Sequence, residues 1–536
     1  MTAPDTLPPA LGDDSGPDAI RRGFTAIASA TDTPAPGDGS RLPTVNLSQP
    51  ISALARTVGM ILHAAPIFRF GESLSTVDES GRVSGMTAER FASWVENWLA
   101  FTRPAKDTPA VESIGKDMAG KILAADQFRD QLRELKGVSE VRLPVWKGEG
   151  EALTIELAPE GFDPGTGLFT VNRIPYQESM TENEGFKVLW ECLKEFPFES
   201  EGETNVARRR SFSAQIAAML GVYCRELFPE GTPRPMIVWN ANQSGSGKSL
   251  LMRVALAPVH GPPAESGKPE TENEFEKVLD TAAIARLPFL VLDDCWSIHS
   301  QALNRFVTSP RHACRLMHSQ RMAMVPKVTQ VFATGNGLTI SADLDRRALV
   351  IDLFEPGEAT ARSFAKEITT RWLFAPDTRA SSLAALWALV RVWRDAGMPM
   401  MKEHRRGSFE EWTGLIGGIV IACGMSNPFA PRTAEIGGDE VGRAVRSLLA
   451  IAAGECPAGV PSVLTTQDLL DIADREELTE LLNLSEKDRK QSLGRKLRKS
   501  YLGRVFTDTQ GRGFEFARRK MSYGAGYAIT FLAAPA

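Results

Sequence analysis

The sequence predicts an α/β fold, and three patterns in its central part support that class. Residues 236–239 form a short apolar run, followed by a loop rich in glycine and serine and by helix-forming residues from 250 onward. Residues 287–292 form an apolar strand that ends in two carboxylates, and the alternating strand 327–334 ends in a Gly-Asn-Gly turn. Strands that alternate with helical segments in this way are typical of an α/β core.

Changes in composition divide the chain into five predicted parts. Residues 1–43, rich in Pro, Gly, Ala, Asp, Ser and Thr, predict a disordered tail. Residues 45–202 predict a separate α+β domain, with a hairpin at its start and an amphipathic helix at 86–101. The α/β core then covers 203–375, apolar helices at 376–455 indicate a lid or collar, and a small basic domain follows at 456–536.

The loop after the first core strand is a predicted phosphate-binding loop of the form G-x-x-x-x-G-K-[ST]. Its glycines let successive N–H groups point at an anion, and the following helix adds the positive end of its dipole. A lysine here can reach the β- and γ-phosphates and a serine can ligate Mg²⁺. The predicted contacts are Asn242, Gln243, Ser244, Gly245, Ser246, Gly247, Lys248 and Ser249.

Asn242 departs from this pattern, because it holds the position of the first glycine. Asparagine tolerates left-handed backbone geometry better than most residues, so it is the least damaging replacement. The alternative interpretation of the whole segment is a Gly/Ser loop with a solvent-facing lysine.

Polar residues at the ends of the next two strands predict hydrolysis. Asp293 can hold Mg²⁺, and Asp294 can orient or deprotonate an attacking water. Asn336, at the tip of the third strand, could hold that water near the γ-phosphate. The alternatives are an acidic turn and an ordinary Gly-Asn-Gly turn.

Arg346 and Arg347 form a second candidate group. Either can place an always-ionised fork against a phosphate, and in an oligomer that fork can come from a neighbouring subunit. The alternative is a surface ion-pair cluster with Asp343 and Asp345. The sequence does not choose between the two arginines.

The last part of the chain is locally basic. Residues 487–520 hold twelve Lys or Arg and three Asp or Glu in a chain whose net charge is −5. Helices followed by a small hairpin are the element order of a winged helix, and such a charge excess indicates contact with phosphate backbones. The alternative is a solvated helix face. The predicted nucleic-acid contacts are Arg495, Lys496, Arg498, Lys499, Arg518 and Arg519.

Cysteine usage and hydropathy limit the possible cellular compartment, metal sites and membrane association of the chain. The six cysteines are scattered without a CxxC pair, which favours a reducing cytoplasm over a disulfide framework or zinc ribbon. His312, Cys314 and His318 could be metal ligands, but a polar loop is the preferred interpretation. The longest apolar run, 414–425, is too short to span a bilayer and no signal pattern is present, so we expect a cytoplasmic protein with no membrane partner.

Together these motifs resemble the helicase module of phage and integrative-element primase-helicases, related to poxvirus-type and superfamily 3 helicases of the AAA+ class. The most specific part is the block 333–340 followed by Asp343-Leu344-Asp345-Arg346-Arg347. The resemblance runs from about residue 45 to the end. It implies an AAA+ ATPase core that uses ATP and Mg²⁺ to drive a ring, often a hexamer, along DNA during replication of a mobile element.

The resemblance also assigns roles to residues. Lys248 and Ser249 correspond to Walker A, Asp293 and Asp294 to Walker B, Asn336 to sensor 1, and Arg346 or Arg347 to the arginine finger. Asp294 stands where many AAA+ enzymes have Glu, so its reach is shorter. Many relatives carry a primase domain upstream, which is not found here, so a separate primase or other replication proteins are expected partners.

Three hypotheses follow. The first is an ATP-dependent helicase or translocase acting on single-stranded or forked DNA. The second is a DNA-binding replication initiator or regulator in which ATP switches assembly. The third is a nucleotide-dependent scaffold or defence ATPase with little DNA contact.

Overall fold

The computed structural model describes most of the chain from residue 42 to residue 531. The described residues are 42–71, 73–105, 109–200, 202–242, 245–295, 297–315, 322–336, 338–355, 364, 367–432, 440–457, 462–476, 478–479, 482, 484–485, 487–507, 513–521 and 524–531. The predicted tail at 1–43 therefore lies almost wholly outside them, as do Gln243, Ser244 and His318. Within the described part, no helix is long and apolar enough to cross a membrane.

The N-terminal unit combines short strands with four helices. Its elements are β1 Thr44–Asn46, α1 Ile51–Ile61, β2 Ile67–Phe70, β3 Ser73–Val77, β4 Val83–Gly85, α2 Ala88–Trp94, β5 Ala100–Arg103, β6 Ala110–Val111, α3 Lys116–Ala124, α4 Asp126–Arg129, β7 Gly137–Ser139, β8 Pro144–Lys147, β9 Thr154–Leu157, β10 Gly161–Asp163 and β11 Leu168–Thr170.

Local patterns in this unit are mostly confirmed, with one clear error. The predicted hairpin is the antiparallel pair β2–β3, and Thr87 caps α2 by accepting from the backbone N–H of Arg90. The helix predicted over 86–101 is too long. Its last residues form β5, which pairs in parallel with β1 so that Phe101 and Val45 are both buried in one core.

The central unit follows. Its elements are α5 Glu182–Leu193, α6 Arg210–Tyr223, β12 Met236–Ala241, α7 Lys248–His260, β13 Ser266–Gly267, α8 Glu272–Ile284, β14 Phe289–Asp293, β15 Ser297–Ile298, α9 Gln301–Thr308, β16 Arg311–Arg315, β17 Met322–Pro326, β18 Gln330–Asn336, β19 Thr339–Ile340, α10 Ala342–Asp345, β20 Ala348–Leu353, α11 Thr370–Leu373, α12 Pro376–Asp395 and α13 Glu410–Ala422.

A five-stranded sheet organises this unit, in the order β13-β14-β18-β12-β20, and every neighbouring pair is parallel. The chain is thus a mixed α/β protein with a parallel sheet. The strand that ends in Asn336, β18, lies between the loop strand β12 and the carboxylate strand β14. We call the side where these strands end the carboxyl edge of the sheet and the opposite side its amino edge. Loops at the carboxyl edge are the usual place for a ligand in such sheets.

One apolar core crosses two of the predicted domain boundaries. It joins Val141 and Leu193, from the part predicted as N-terminal domain, to β12, α6 and α7, and it continues into α12 and α13. All six residues of β12 and all fourteen of α6 are buried. Between β20 and α12, the described residues form one short helix, α11. The five-part division of the chain remains a prediction.

A β-hairpin replaces the polar loop that we predicted around His312. Strands β16 and β17 pair antiparallel over five residues. His312 Nε2 lies 2.6 Å from Asp280 Oδ1, and Cys314 is buried with its Sγ 3.6 Å from the Ala323 carbonyl oxygen. These partners are structural, and in the described residues no group of three His, Cys, Asp or Glu side chains is placed to hold a metal ion.

Lys327, between that hairpin and β18, leads to a stability prediction. It is buried, its Nζ donates to the Val307 carbonyl at 2.9 Å, and burial lowers its pKa to about 7. Between that pH and the ordinary lysine pKa, the unfolded chain binds a proton that the folded chain does not, so stability should rise with pH. We expect Lys327→Met to raise the free energy of unfolding at pH 7 by on the order of 1–4 kcal/mol.

Urea unfolding at pH 7 and pH 10 checks this expectation. The gain from Lys327→Met should shrink at pH 10, whereas the same change at the exposed Lys277 of α8 should have little effect at either pH. An equal gain at both pH values would contradict the role given to the buried charge.

The C-terminal unit has its own core. Its elements are α14 Glu440–Gly454, β21 Ser462–Thr465, α15 Thr466–Arg475, α16 Arg489–Ser500, β22 Arg504–Thr507, β23 Gly513–Met521 and β24 Gly524–Phe531. The strands form an antiparallel sheet in the order β21-β24-β23-β22. Helix α14, predicted as part of the lid, packs here instead: Leu448 and Leu449 share a core with Leu469, Leu493 and Tyr527.

Candidate active site

The loop after β12 has the backbone that a phosphate site requires. Gly245 and Gly247 have φ values of 82° and 92°, which favour glycine. A Cβ on Gly247 would also lie only 3.0 Å from a ring carbon of Phe196. Because α7 begins at Lys248, the N–H groups of its first turn and the positive end of its dipole open onto this loop.

Asn242 is held by side-chain hydrogen bonds to a distant part of the chain. Its Nδ2 donates to the Glu355 carbonyl at 2.8 Å, and its Oδ1 accepts from the Glu355 N–H at 2.9 Å. Asn242 is not among the described residues with positive φ. The explanation by left-handed geometry was therefore wrong: an amide is needed because it fastens the start of the loop to the chain after β20, which glycine could not do.

Lys248 and Asp294 form an ion pair across the site. Lys248 Nζ lies 3.2 Å from Asp294 Oδ1, and the Asp294 side chain is 64% exposed. Asp294 has φ 52°, which is strained for a residue with a side chain. The lysine predicted to bind phosphate and the predicted base thus neutralise each other, and an incoming anion would compete with Asp294 for Lys248.

Asp293 accepts two hydroxyl groups. Ser249 Oγ donates to Asp293 Oδ1 at 2.9 Å, and Thr334 Oγ1 donates to the same oxygen at 2.5 Å. Thr334 Oγ1 also accepts from the backbone N–H of Asp294 at 3.1 Å. One hydroxyl therefore orients both acidic residues. Sequence reasoning placed Thr334 only in a strand, although a polar residue two positions before Asn336 is a usable signal.

Ser249 and Asp293 fit the requirements of Mg²⁺. Both present hard oxygen donors, and the two oxygens are already neighbours. A magnesium ion bound with a nucleotide typically takes only one or two protein oxygens, with waters and phosphates completing the octahedron. The donor set therefore suits the ion, with no larger cluster of carboxylates required.

Asn336 lies beside the phosphate loop through strand register. It is paired with Ala241, the last residue of β12. Asn240 Oδ1 accepts from the Leu338 N–H at 2.9 Å. Asn240 Nδ2 in turn lies 3.3 Å from Asp352 Oδ1. Asn240 and Asp352 thus hold Leu338 near the end of β12, and neither role was predicted.

The glycine before Asn336 is required by a close backbone approach. A Cβ on Gly335 would lie 2.1 Å from the carbonyl oxygen of Cys295, just after the acidic pair. The Cys295 N–H donates to the Thr334 carbonyl at 2.7 Å. The Asn336 strand and the acidic segment can therefore approach this closely only with glycine at this position.

The structure does not bring the two arginines to this site. Both precede β20, so they lie at the amino edge, about 20 Å of strand away from the phosphate loop. Arg346 is 65% exposed and pairs with Asp343 at 2.8 Å. Arg347 instead donates to the carbonyl and the Oδ1 of Asn304, at 3.2 and 2.9 Å. Only a neighbouring subunit's phosphate could be within reach of either.

The predicted DNA contacts occupy two elements of the C-terminal unit. Arg495 and Arg498 are exposed on α16 and Lys496 is half-buried there, while the Lys499 side chain lies outside the described residues. Arg518 and Arg519 are exposed on β23. As successive strand residues, these two point to opposite faces, so the predicted contacts do not all share one surface.

Comparisons with known proteins give distant similarities. No family model matches the sequence, and no curated protein does. One solved structure, an apo A form of the NrS-1 C-terminal region, is 13% identical, with 79% of this chain and 92% of that chain covered and a TM-score of 0.31. A second structure of that region is 12% identical, with 87% and 96% covered and a TM-score of 0.36. JCV helicase bound to an acetamide compound is 16% identical, with 44% and 68% covered and a TM-score of 0.21.

Proposed function

We propose that the chain is an ATP-dependent DNA helicase or translocase, acting in replication of a phage or other mobile element. The observation that carries the proposal is the cluster at the carboxyl edge. A glycine-rich loop opens onto a helix N-terminus, the loop lysine contacts one carboxylate at 3.2 Å, and its serine contacts the other at 2.9 Å. This set of groups matches what hydrolysis of a nucleoside triphosphate requires.

The residues divide the chemical work as follows. Lys248 breaks its ion pair with Asp294 and contacts the β- and γ-phosphates instead. The freed Asp294 carboxylate can then accept a proton from the attacking water. Asn336 orients that water from the neighbouring strand. Ser249 and Asp293 would hold Mg²⁺, which when bound neutralises charge on the phosphate oxygens. The Thr334 hydroxyl holds the Asp293 carboxylate and the Asp294 backbone N–H in place.

An oligomer completes the site in this proposal. Arg346 is exposed at the amino edge, and a fixed positive charge beside the γ-phosphate is a large part of catalysis in enzymes of this type. A head-to-tail ring such as a hexamer would bring the amino edge of one subunit to the carboxyl edge of the next. Repetition of that contact around the ring would make hydrolysis dependent on assembly.

The C-terminal unit is proposed to bind DNA. The elements α14, β21, α15, α16, β22, β23 and β24 follow one another in the order of a winged helix with one additional strand, β22. Arg495 and Arg498 are three residues apart on α16, so they share one face of that helix. Neither has a described carboxylate within salt-bridge distance: Arg495 donates to Gln491 and Arg498 to the Gly494 carbonyl.

Removal of the Arg495 and Arg498 charges on α16 should weaken DNA binding. For Arg495→Ala/Arg498→Ala we expect about tenfold lower affinity near 100 mM salt, because two phosphate contacts and their released counterions are lost. Fluorescence anisotropy with a labelled forked DNA over a salt series measures both the affinity and the salt slope, which should fall by about 1–2. Arg475→Ala on α15, which removes an exposed arginine paired with Glu455 and Glu476, is the matched control. Unchanged affinity and slope would exclude this face.

Strand displacement tests the function as a whole. Wild-type chain should hydrolyse ATP faster with DNA present and should separate a forked duplex, and Lys248→Ala should do neither. Hydrolysis without unwinding on any forked or tailed substrate would reject the helicase. Sequence-specific DNA binding that survives both Lys248→Ala and Asp294→Ala would identify an initiator or regulator with ATP as an assembly switch.

A further inference from the structure

A cavity of about 500 Å³ lies at the amino edge of the central sheet, against the N-terminal unit. Pro288 and Val328, just before β14 and β18, line it on one side together with residues 225–230 and 234. Phe70, Val83, 136–138 and 165–166 of the N-terminal unit line the other side. Its volume is within the usual range for small-molecule sites. The strands of the sheet separate it from the phosphate loop, so the two sites are distinct.

The charges around this cavity do not balance. Four basic residues line it and only two acidic ones do: Lys136, Arg225, Arg234 and Arg286 face Glu226 and Glu230. Each acidic residue already has a partner, because Glu226 contacts Arg225 at 2.9 Å and Glu230 pairs with Arg286. Two positive charges are therefore left over.

Arg234 is the buried cation of this group that has no salt bridge. Among the described residues it donates to the carbonyls of Val328 and Arg225, at 3.3 and 3.0 Å, and has no carboxylate in direct contact. Burial lowers its pKa to about 10, although the charge of Glu226 acts in the opposite direction. An anion in the adjoining cavity would supply the direct counter-charge that this desolvated guanidinium lacks.

Arg286 has a strained backbone beside this cavity. Its φ is 51°, in the left-handed region that side chains rarely adopt. Strain of this kind is common at functional sites.

We propose that this cavity binds a small phosphate-bearing molecule, with Arg234 donating to its oxygens. A phosphate group carries up to two negative charges and offers several acceptors, which matches the two surplus cations. Lys136 is exposed, so it can contribute charge at the cavity mouth. The proposal does not depend on ATP hydrolysis.

Pyrophosphate binding to the Lys248→Ala chain tests the proposal, because that background weakens the competing phosphate loop. Isothermal titration should still show one site per chain. Adding Arg234→Met should raise the dissociation constant at least about tenfold, and adding Lys136→Ala about threefold. Arg305→Ala, which removes a 67% exposed arginine on α9, should leave it unchanged.

The titrations have several possible outcomes, and each has a different consequence for the proposal. No binding to the Lys248→Ala chain, or equal binding by the Arg234→Met and Arg305→Ala chains, would overturn the proposal. If Arg234→Met fails to fold, a Lys136→Glu variant replaces it in the test. An unchanged dissociation constant for pyrophosphate in Lys136→Glu would also overturn the proposal. Competition by a nucleoside monophosphate or by an oligonucleotide would identify the source of the phosphate, and tighter binding of citrate than of pyrophosphate would reject a phosphate site.

Discussion

Asp294→Asn is expected to lower the rate of ATP hydrolysis by about 10²–10⁴-fold while nucleotide binding is retained or becomes tighter. The change removes the group proposed to accept the proton of the attacking water, and the side-chain size is kept. It also removes the charge that pairs with Lys248 at 3.2 Å. The lysine would then be released for phosphate without first breaking an ion pair.

Two measurements on one preparation separate these effects. Steady-state phosphate release gives the hydrolysis rate, and titration with a fluorescent ATP analogue gives the dissociation constant. Lys248→Ala should lose both activities, whereas Asp294→Asn should lose hydrolysis alone. Glu276→Gln, which removes a 53% exposed carboxylate paired with Arg305, is the matched control. Weaker nucleotide binding by Asp294→Asn than by wild type would contradict the competition between Asp294 and phosphate.

Sequence reasoning succeeded where the relevant signal is local. The order of apolar strand, glycine loop and helix lies within about twenty residues. A continuous apolar run identified the strand that ends at Asp293, and alternation identified the strand that ends at Asn336. These features follow from propensity and periodicity, which depend on near neighbours. The parallel sheet then brings the strand ends together, so a correct strand assignment was sufficient to place the candidate groups at one edge.

Sequence reasoning failed where a residue's role depends on a distant partner. Asn242 was explained by its backbone preference, whereas its amide bonds to Glu355 across 113 positions. Thr334 looked like an ordinary strand residue, yet it orients both acidic residues from 41 and 40 positions away. Such contacts depend on the packing of whole strands, and no local pattern encodes them.

The roles of the two adjacent arginines could not be distinguished from the sequence, but their contacts in the structure distinguish them. In the sequence, Arg346 and Arg347 are equivalent. In the structure, Arg347 donates twice to Asn304 of α9, while Arg346 is 65% exposed and has only a surface pair with Asp343. A surface ion pair of this kind is weak, so it can be exchanged for a phosphate at little cost. Arg346 is therefore the better candidate to act on a neighbouring subunit.

Arg346→Ala is accordingly expected to lower ATP hydrolysis by about 10³-fold without loss of stability. Arg347→Ala should mainly lower the midpoint of thermal unfolding, because it leaves the Asn304 oxygens without their donor. Circular dichroism melts and phosphate-release assays on the two single variants make this distinction. Similar losses of activity and stability in both variants would assign the pair to structure alone.

Mixing two inactive chains tests whether Arg346 acts between subunits. An Arg346→Ala chain keeps an intact phosphate loop, and a Lys248→Ala chain keeps an intact arginine. Since the two groups lie at opposite edges of one sheet, an active site in a mixed ring needs the loop from the first chain and the arginine from the second. In a random equal mixture about one quarter of the contacts have that arrangement, so we expect roughly a quarter of wild-type hydrolysis to return. If the arginine served its own chain, mixing would restore nothing.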